Sequence, residues 1–269
     1  MSMQESIRAG DLEVAYRLEG PQEAPVVMLV HGIMTSRRMW DDAAALLRER
    51  WRVLRYDLRG HGGTQVTEPP YLMHRLADDA IALLDALGLE KVHFICSSLG
   101  GMIGQQIGAR YGERVLTLAL ANTSSVQRTP AAWAQRIDVA GREGMSGLVE
   151  STLQRWFTEP YLAVNGQPVR RLREIAMTMD PRGFVGCACA VQQLAQADLL
   201  ARIEVPTLIV AGSEDRATPI AESQALVEGI AGARMVTLPA AHQSAVECAE
   251  LFVRAWEGFV NNTFQETNP

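Results

Sequence analysis

At 269 residues, 48% of them hydrophobic, the chain is long enough for one large domain or a core with an insertion, with a substantial interior. A net charge of −6 argues against a general nucleic-acid surface, no apolar run is long enough to span a bilayer, and residues 1–8 lack the apolar stretch of a signal peptide, so the cytosol is the expected compartment. Four cysteines in a chain this long make no disulfide framework, and Cys187-Ala188-Cys189 lacks the spacing of a zinc or redox pair.

The first element reads as a hairpin, with Ile7 before a Gly10-Asp11 turn and Leu12, Val14, Tyr16 and Leu18 alternating after it. Pro25 opens an apolar strand over residues 26–30 that ends in His31-Gly32-Ile33-Met34-Thr35-Ser36, and helical spacing follows over about residues 39–49. The next strand, residues 52–56, runs into Asp57-Leu58-Arg59-Gly60-His61-Gly62-Gly63-Thr64. A long helix over about residues 71–87 leads to a buried strand at 92–96. From Leu99 the spacing is helical again, so Ser97 and Ser98 sit where strand becomes helix.

Another buried strand covers residues 115–121. Residues 126–199 then show helical periodicity broken at Gly141, Gly144, Pro160, Gly166, Pro168 and Pro181, which predicts a helical cap inserted after the sixth strand. Strands resume at 207–211 and 234–238 around a helix, and a last helix spans about 245–261 before a tail, 265–269, expected to fray. Strands alternating with helices predict an α/β fold, a mostly parallel sheet covered on both faces, with the core in residues 1–125 and 200–269.

The strand-to-helix corner selects one serine. A nucleophile on such a corner needs small residues two positions to either side, because those backbones nearly touch. Ser98 has Cys96 and Gly100 there, with Gly101 adding room; Ser97 would have Ile95 and Leu99. A plain helix cap is the competing use of these serines.

A serine nucleophile needs a histidine base and a carboxylate to orient it. His93 lies inside a buried strand, His74 on an amphipathic helix, and His31 and His61 precede glycines in loops. His242, among the small residues just past the last strand, is the candidate base. No carboxylate follows Asn122, whereas Gly212-Ser213-Glu214-Asp215-Arg216-Ala217-Thr218-Pro219 offers Asp215, with Glu214 as the rival expected to face solvent. Backbone N–H groups of Ile33 and Leu99 are the expected oxyanion donors. The Gly60–Gly63 loop precedes no helix N-terminus that would hold a phosphate, and no metal spacing occurs, so neither cofactor nor metal is assigned.

These residues resemble the α/β-hydrolase superfamily over about residues 14–259: the corner resembles its G-x-S-x-G elbow with Cys96 for the first glycine, and Ser98, Asp215, His242 follow its chain order. The closer resemblance is to 3-oxoadipate enol-lactonases of bacterial aromatic degradation, through W-R-V-L-R-Y-D-L-R-G-H-G, S-S-L-G-G-M-I-G-Q, A-L-A-N-T, Q-R-W-F-T and G-S-E-D-R-A-T-P. That resemblance implies attack of Ser98 on a lactone carbonyl, with His242 taking its proton and later activating water. Another carboxylesterase, a carbon–carbon bond hydrolase of the same fold, and a ligand-binding protein without turnover are the alternatives.

Residues 126–202 hold nine arginines against seven acids, a charge of +2 beside −8 in the remainder. This excess suits a carboxylated small molecule, with Arg136 beside Trp133 as its contact and Trp156 in the pocket wall; it equally suits solvated surface arginines, and including Glu204 halves it. Trp133, Trp156, Met177 and Met179 fit packing of the cap as well as recognition of a ring. No nucleic-acid or membrane partner is expected, and oligomeric state is left open.

Overall fold

A computed structural model describes residues 5–265; residues 1–4 and the tail beyond Gln265 lie outside the described residues. Eight strands form one sheet: β1 (Glu5–Ala9), β2 (Leu12–Glu19), β3 (Val26–Val30), β4 (Arg52–Tyr56), β5 (Val92–Ser97), β6 (Val115–Ala121), β7 (Thr207–Gly212) and β8 (Arg234–Leu238). Their spatial order is β1-β2-β4-β3-β5-β6-β7-β8. The β1–β2 and β2–β4 pairs are antiparallel and every later pair is parallel. Residues of β3, β5 and β7 are buried throughout, as continuous apolar runs in a sheet covered on both faces require.

The helices are α1 (Asp41–Leu47), α2 (Met73–Ala86), α3 (Leu99–Arg110), α4 (Pro130–Glu143), α5 (Ser146–Trp156), α6 (Glu159–Val164), α7 (Gln167–Thr178), α8 (Pro181–Gln192), α9 (Ile220–Gly229), α10 (Ser244–Glu247) and α11 (Ala249–Gln265). Two differ from the expected spans for visible reasons. Before α1, residues 37–40 form a tighter 3₁₀ turn capped by the Ser36 hydroxyl, which delays the helix to Asp41. The single last helix is two, because Cys248 takes φ −139° and ψ 56° and interrupts it after Glu247. No helix among the described residues is long and apolar enough to cross a membrane.

The chain goes from β3 outward to β4 on one side and returns to β5 on the other, so the strand order reverses between β3 and β5. In open α/β sheets the crevice at the carboxyl end of such a reversal is where ligands bind. The register brings the loops to one edge: Val30 lies beside Cys96, Ser97 beside Ala121, Ala121 beside Val210, and Gly212 beside Leu238. The residues that follow those strands, His31–Ile33, Ser98, Asn122, Asp215 and His242, therefore emerge together.

Helix α3 lies very close to the sheet. A Cβ on Gly100 would stand 2.3 Å from the Val30 carbonyl oxygen, so nothing larger than glycine fits. One turn on, a Cβ on Gly104 would meet Leu120 Cδ2 at 2.9 Å and Cys96 Sγ at 3.0 Å. Cys96, the departure from the elbow pattern, is accommodated because its thiol fills the space that Gly104 leaves.

Between β6 and β7 the chain forms the five helices α4–α8. Their ends meet in a narrow neck: Val126 bridges Ala195 antiparallel, the Gln127 N–H donates to Leu194 O (2.9 Å) and the Gln196 N–H to Ser125 O (2.8 Å). The Gln196 amide donates further to Met102 O (3.0 Å), tying the neck to α3. Helix α8 is seated on the loop after β4, where Gly60 and Gly183 touch backbone to backbone. On α7, Val169, Leu172 and Ala176 face inward, as does Met179 just past its end, while Met177 is 47% exposed rather than packed.

Gly100→Ala should lose about 1–3 kcal/mol of stability by overpacking against a rigid carbonyl, read from urea unfolding midpoints. Gly104→Ala should lose less, because its nearest neighbours are side-chain ends and alanine recovers about 1 kcal/mol of helix propensity.

Candidate active site

Ser98 adopts φ +55° and ψ −116°, a strained conformation for a residue with a side chain and one costing about 1–3 kcal/mol. The close seat of α3 holds it: the Ser98 N–H donates to Ala121 O (2.9 Å), and its carbonyl accepts from the Thr123 hydroxyl (2.8 Å) and the Met102 N–H (3.1 Å). The hydroxyl projects over the sheet edge, 2.9 Å from His242 Nε2. Ser97 remains inside β5.

The other face of the His242 ring meets Asp215, with Nδ1 2.9 Å from Oδ2 and 3.1 Å from Oδ1. Donation from Nδ1–H to the carboxylate leaves Nε2 as the acceptor for the Ser98 proton. Asp215 also accepts from the Ala217 and Thr218 N–H groups (2.8 and 2.9 Å), the Thr218 hydroxyl (2.8 Å) and the Asn122 amide (3.0 Å). Burial alone would raise its pKa, but the imidazole and these donors outweigh it and hold the carboxyl below its ordinary value. Glu214 is exposed. The His242 loop crosses directly over Gly212, where a Cβ would strike the Ala241 carbonyl at 2.3 Å.

Two backbone N–H groups stand beside Ser98 without an acceptor among the described residues. Leu99 opens α3, so its N–H has no partner in the helix. Ile33 follows Gly32, whose Cβ position lies 3.1 Å from that of Ser98. The loop bearing Ile33 is pinned by two imidazoles. His31 Nε2 accepts the Leu58 N–H (3.0 Å), so Nδ1 carries the proton and donates to Gly32 O (2.8 Å). His61 Nε2 accepts the Met34 N–H (3.3 Å) and Nδ1 donates to Arg59 O (3.2 Å). Asp57 braces the same loop by accepting N–H groups of Arg37 (2.7 Å) and Gly63 (2.9 Å) and pairing with the Arg37 guanidinium.

A cavity of about 370 Å³ opens over Ser98 and His242, and Trp133, Arg136, Arg155 and Trp156 of the inserted helices line it. Arg136 is half-buried: its Nη2 donates to Thr152 Oγ1 (3.2 Å), its guanidinium sits 4.9 Å from the Trp133 ring centre, and its Nε has no partner. Arg155 donates to the same Thr152 hydroxyl (3.2 Å). Neither guanidinium pairs with a carboxylate among the described residues. Burial, and then the charge of Arg155, push the Arg136 pKa down to about 10. Two cations sharing one neutral hydroxyl in a cavity is an arrangement that an anion would relieve.

Of the residues singled out from the pattern, the structure places Ile33, Ser98, Trp133, Arg136, Trp156 and His242 in the lining of this cavity, with Asp215 behind His242 and Leu99 directly after Ser98 at the start of α3. Pattern reading missed the holders: Asn122, Thr218, His31, His61 and Asp57. Thr218 carried a signal, since T-P three residues after Asp215 marks a turn whose hydroxyl and N–H point back at the carboxylate. Among the described residues no cluster of His, Cys, Asp or Glu could hold a metal ion, and burial raises the Cys96 thiol far above its usual range.

A family model described as the alpha/beta hydrolase fold matches residues 25–247. The chain is 31% identical to 3-oxoadipate enol-lactonase 1 of Acinetobacter baylyi over 93% of both proteins. Among solved structures, a hydrolase from Pseudomonas aeruginosa PA01 is 38% identical with a TM-score of 0.93, covering 96% of this chain and 98% of that one. The enol-lactonase from Burkholderia xenovorans LB400 is 32% identical with a TM-score of 0.93, covering 96% and 100%.

Burial pushes the pKa of His31 to about 4 and that of His61 to about 3, from an ordinary value of 6.5. Below pH 6.5 the unfolded chain binds protons that the folded chain refuses. Stability should therefore be lost as pH falls from about 6.5 towards about 4, by up to about 1.4 kcal/mol per pH unit for each imidazole. Urea midpoints between pH 7 and 4.5 test this, and His61→Gln should make the slope shallower.

Proposed function

The chain belongs to the α/β-hydrolase fold family, and on that premise we propose that it hydrolyses a small carboxylated lactone or ester through an acyl-enzyme on Ser98, with 3-oxoadipate enol-lactone as the substrate. The observation that carries this reading is the aligned chain from Ser98 Oγ through His242 to Asp215, opening into a cavity with two unpaired guanidiniums. The likeness to enol-lactonases over nearly the whole chain supports the choice of lactone.

In this mechanism His242 Nε2 takes the Ser98 proton as the hydroxyl attacks the lactone carbonyl, and Asp215 stabilises the imidazolium. The Ile33 and Leu99 N–H groups receive the developing oxyanion. Collapse breaks the ring C–O bond while the His242 imidazolium gives its proton to the leaving oxygen, which departs as an enol still tethered to the acyl group. Its tautomerisation to a ketone removes the nucleophile that would reclose the ring. His242 then takes a proton from water, which attacks the acyl-enzyme and releases the ring-opened keto acid. Arg136, with Arg155 beside it, holds the carboxylate on the ring's side arm, and Trp133 and Trp156 cover the ring.

Purified protein should open freshly generated 3-oxoadipate enol-lactone, and Ser98→Ala should lower turnover by about 10⁶-fold. Rapid aryl-ester turnover with no enol-lactone opening would overturn the substrate and leave the serine chemistry standing. Arg136→Met should raise KM for the carboxylated lactone by about 10- to 100-fold, the loss of one charge-assisted hydrogen bond. Turnover of a neutral aryl acetate should stay within about 3-fold, since that substrate brings no charge to the arginine.

A further inference from the structure

Glu247 is the last residue of α10 and belongs to no part of the chemistry described above. Its carboxylate nevertheless joins two regions that are far apart in the chain. Oε2 accepts the Ala241 N–H at 3.1 Å, one residue before His242. The same carboxylate accepts the Thr158 N–H, 3.3 Å to Oε1 and 3.4 Å to Oε2, and the Thr158 hydroxyl. Thr158 lies at the junction of α5 and α6, two residues after Trp156 in the cavity wall. Two further bonds run alongside: the Gln243 N–H donates to Trp156 O (2.9 Å) and the Tyr161 hydroxyl to Val246 O (3.3 Å).

The Ala241 peptide is held at both ends. Its carbonyl accepts from the Asn122 amide (3.2 Å), which also donates to Asp215, and its N–H is taken by Glu247. The core thus fixes one side of the His242 loop and the inserted helices fix the other. Helix side chains lean towards the helix N-terminus, which aims Glu247 from the end of α10 back towards Ala241.

We propose that Glu247 is a positioning residue of the hydrolytic site, one that sets the reach of His242 to Ser98 by clamping the Ala241–His242 segment to the α5–α6 junction. The inference rests on the reading of Ser98 and His242 as nucleophile and base. It adds that the inserted helices contribute to turnover and not only to substrate choice. A loss of positioning acts on the proton transfer and lowers kcat, whereas the binding of a short ester is unaffected. Displacement of a reacting group by about 1 Å from a distant change costs up to about 10²-fold.

The experiment compares hydrolysis of 4-nitrophenyl acetate by wild type, Glu247→Ala, Glu247→Gln and Thr158→Val, with active sites counted by phosphonate titration and stability read from urea midpoints. Glu247→Ala should lower kcat per active site by about 10- to 100-fold, with KM within about 2-fold of wild type. Glu247→Gln, whose amide oxygen still accepts one N–H, should lie between the two. Thr158→Val, which removes one of the donors on the inserted side, should also lose kcat, and its effect should not add to that of Glu247→Ala. Wild-type kcat per active site in Glu247→Ala, with only a lowered urea midpoint, would overturn the inference and make the residue a structural tie. If Glu247→Ala does not fold, undiminished kcat in Thr158→Val overturns it equally. A wild type that hydrolyses neither this ester nor the enol-lactone, or a fully active Ser98→Ala, would instead refute the reading beneath it.

Discussion

The Val30 carbonyl leaves no room for a side chain on Gly100, and most of the site follows from that contact. It sets α3 against the sheet so tightly that the chain must turn from strand to helix within one residue. Ser98 takes the positive φ that such a turn demands, and its side chain is thrown clear of both elements. The following N–H, that of Leu99, is left without a partner among the described residues. Thr123 sits against Gly101 and bonds the Ser98 carbonyl, which locates the end of β6 and thereby Asn122. The strain at Ser98, about 1–3 kcal/mol, is small beside the packing that enforces it.

Three carboxylates then arrange three loops by collecting main-chain N–H groups. Asp57 holds the loop that carries Ile33, Asp215 gathers its own turn and orients the imidazole, and Glu247 holds the segment that carries His242. An ionised carboxylate accepts several short charge-assisted bonds at once, so it suits a place where irregular backbone must be stiff. Only Asp215 touches the imidazole. The neutral state of His31 and His61 serves the same end, since an imidazole that accepts a backbone N–H on one side and donates on the other cannot do so once protonated.

The fold was legible because parallel strands buried on both faces leave continuous apolar runs, and β3, β5, β6 and β7 are runs of this kind. The elbow was legible because crowding forces small residues at positions 96, 100 and 101, and the places of Asp215 and His242 because each follows a strand at the same sheet edge. What could not be read was anything that depends on which side chain meets which backbone group across a long stretch of chain. Asn122 reaches Asp215 over 93 residues and Glu247 reaches Thr158 over 89. Asn122 stands in the A-L-A-N-T stretch, but nothing local to either residue says which distant group it meets. The helix break at Cys248 was hidden for the same reason, since apolar spacing runs through it while the geometry of the His242 loop interrupts it.

The neck at Val126 and Ala195 has a consequence for how such a protein diversifies. The chain leaves the core and returns to it through two adjacent backbone segments, so α4–α8 can be exchanged for another set of helices at a single paired junction, with the sheet and its strand ends untouched. Such an exchange is not free of conditions. Any replacement must bring an acceptor to the Gln243 N–H and donors to the Glu247 carboxylate, or the loop bearing the imidazole loses its outer support. Inheritance of new specificity is thereby confined to grafts that reproduce the Trp156–Thr158 turn, and that short turn is the part of a replacement most constrained to stay the same.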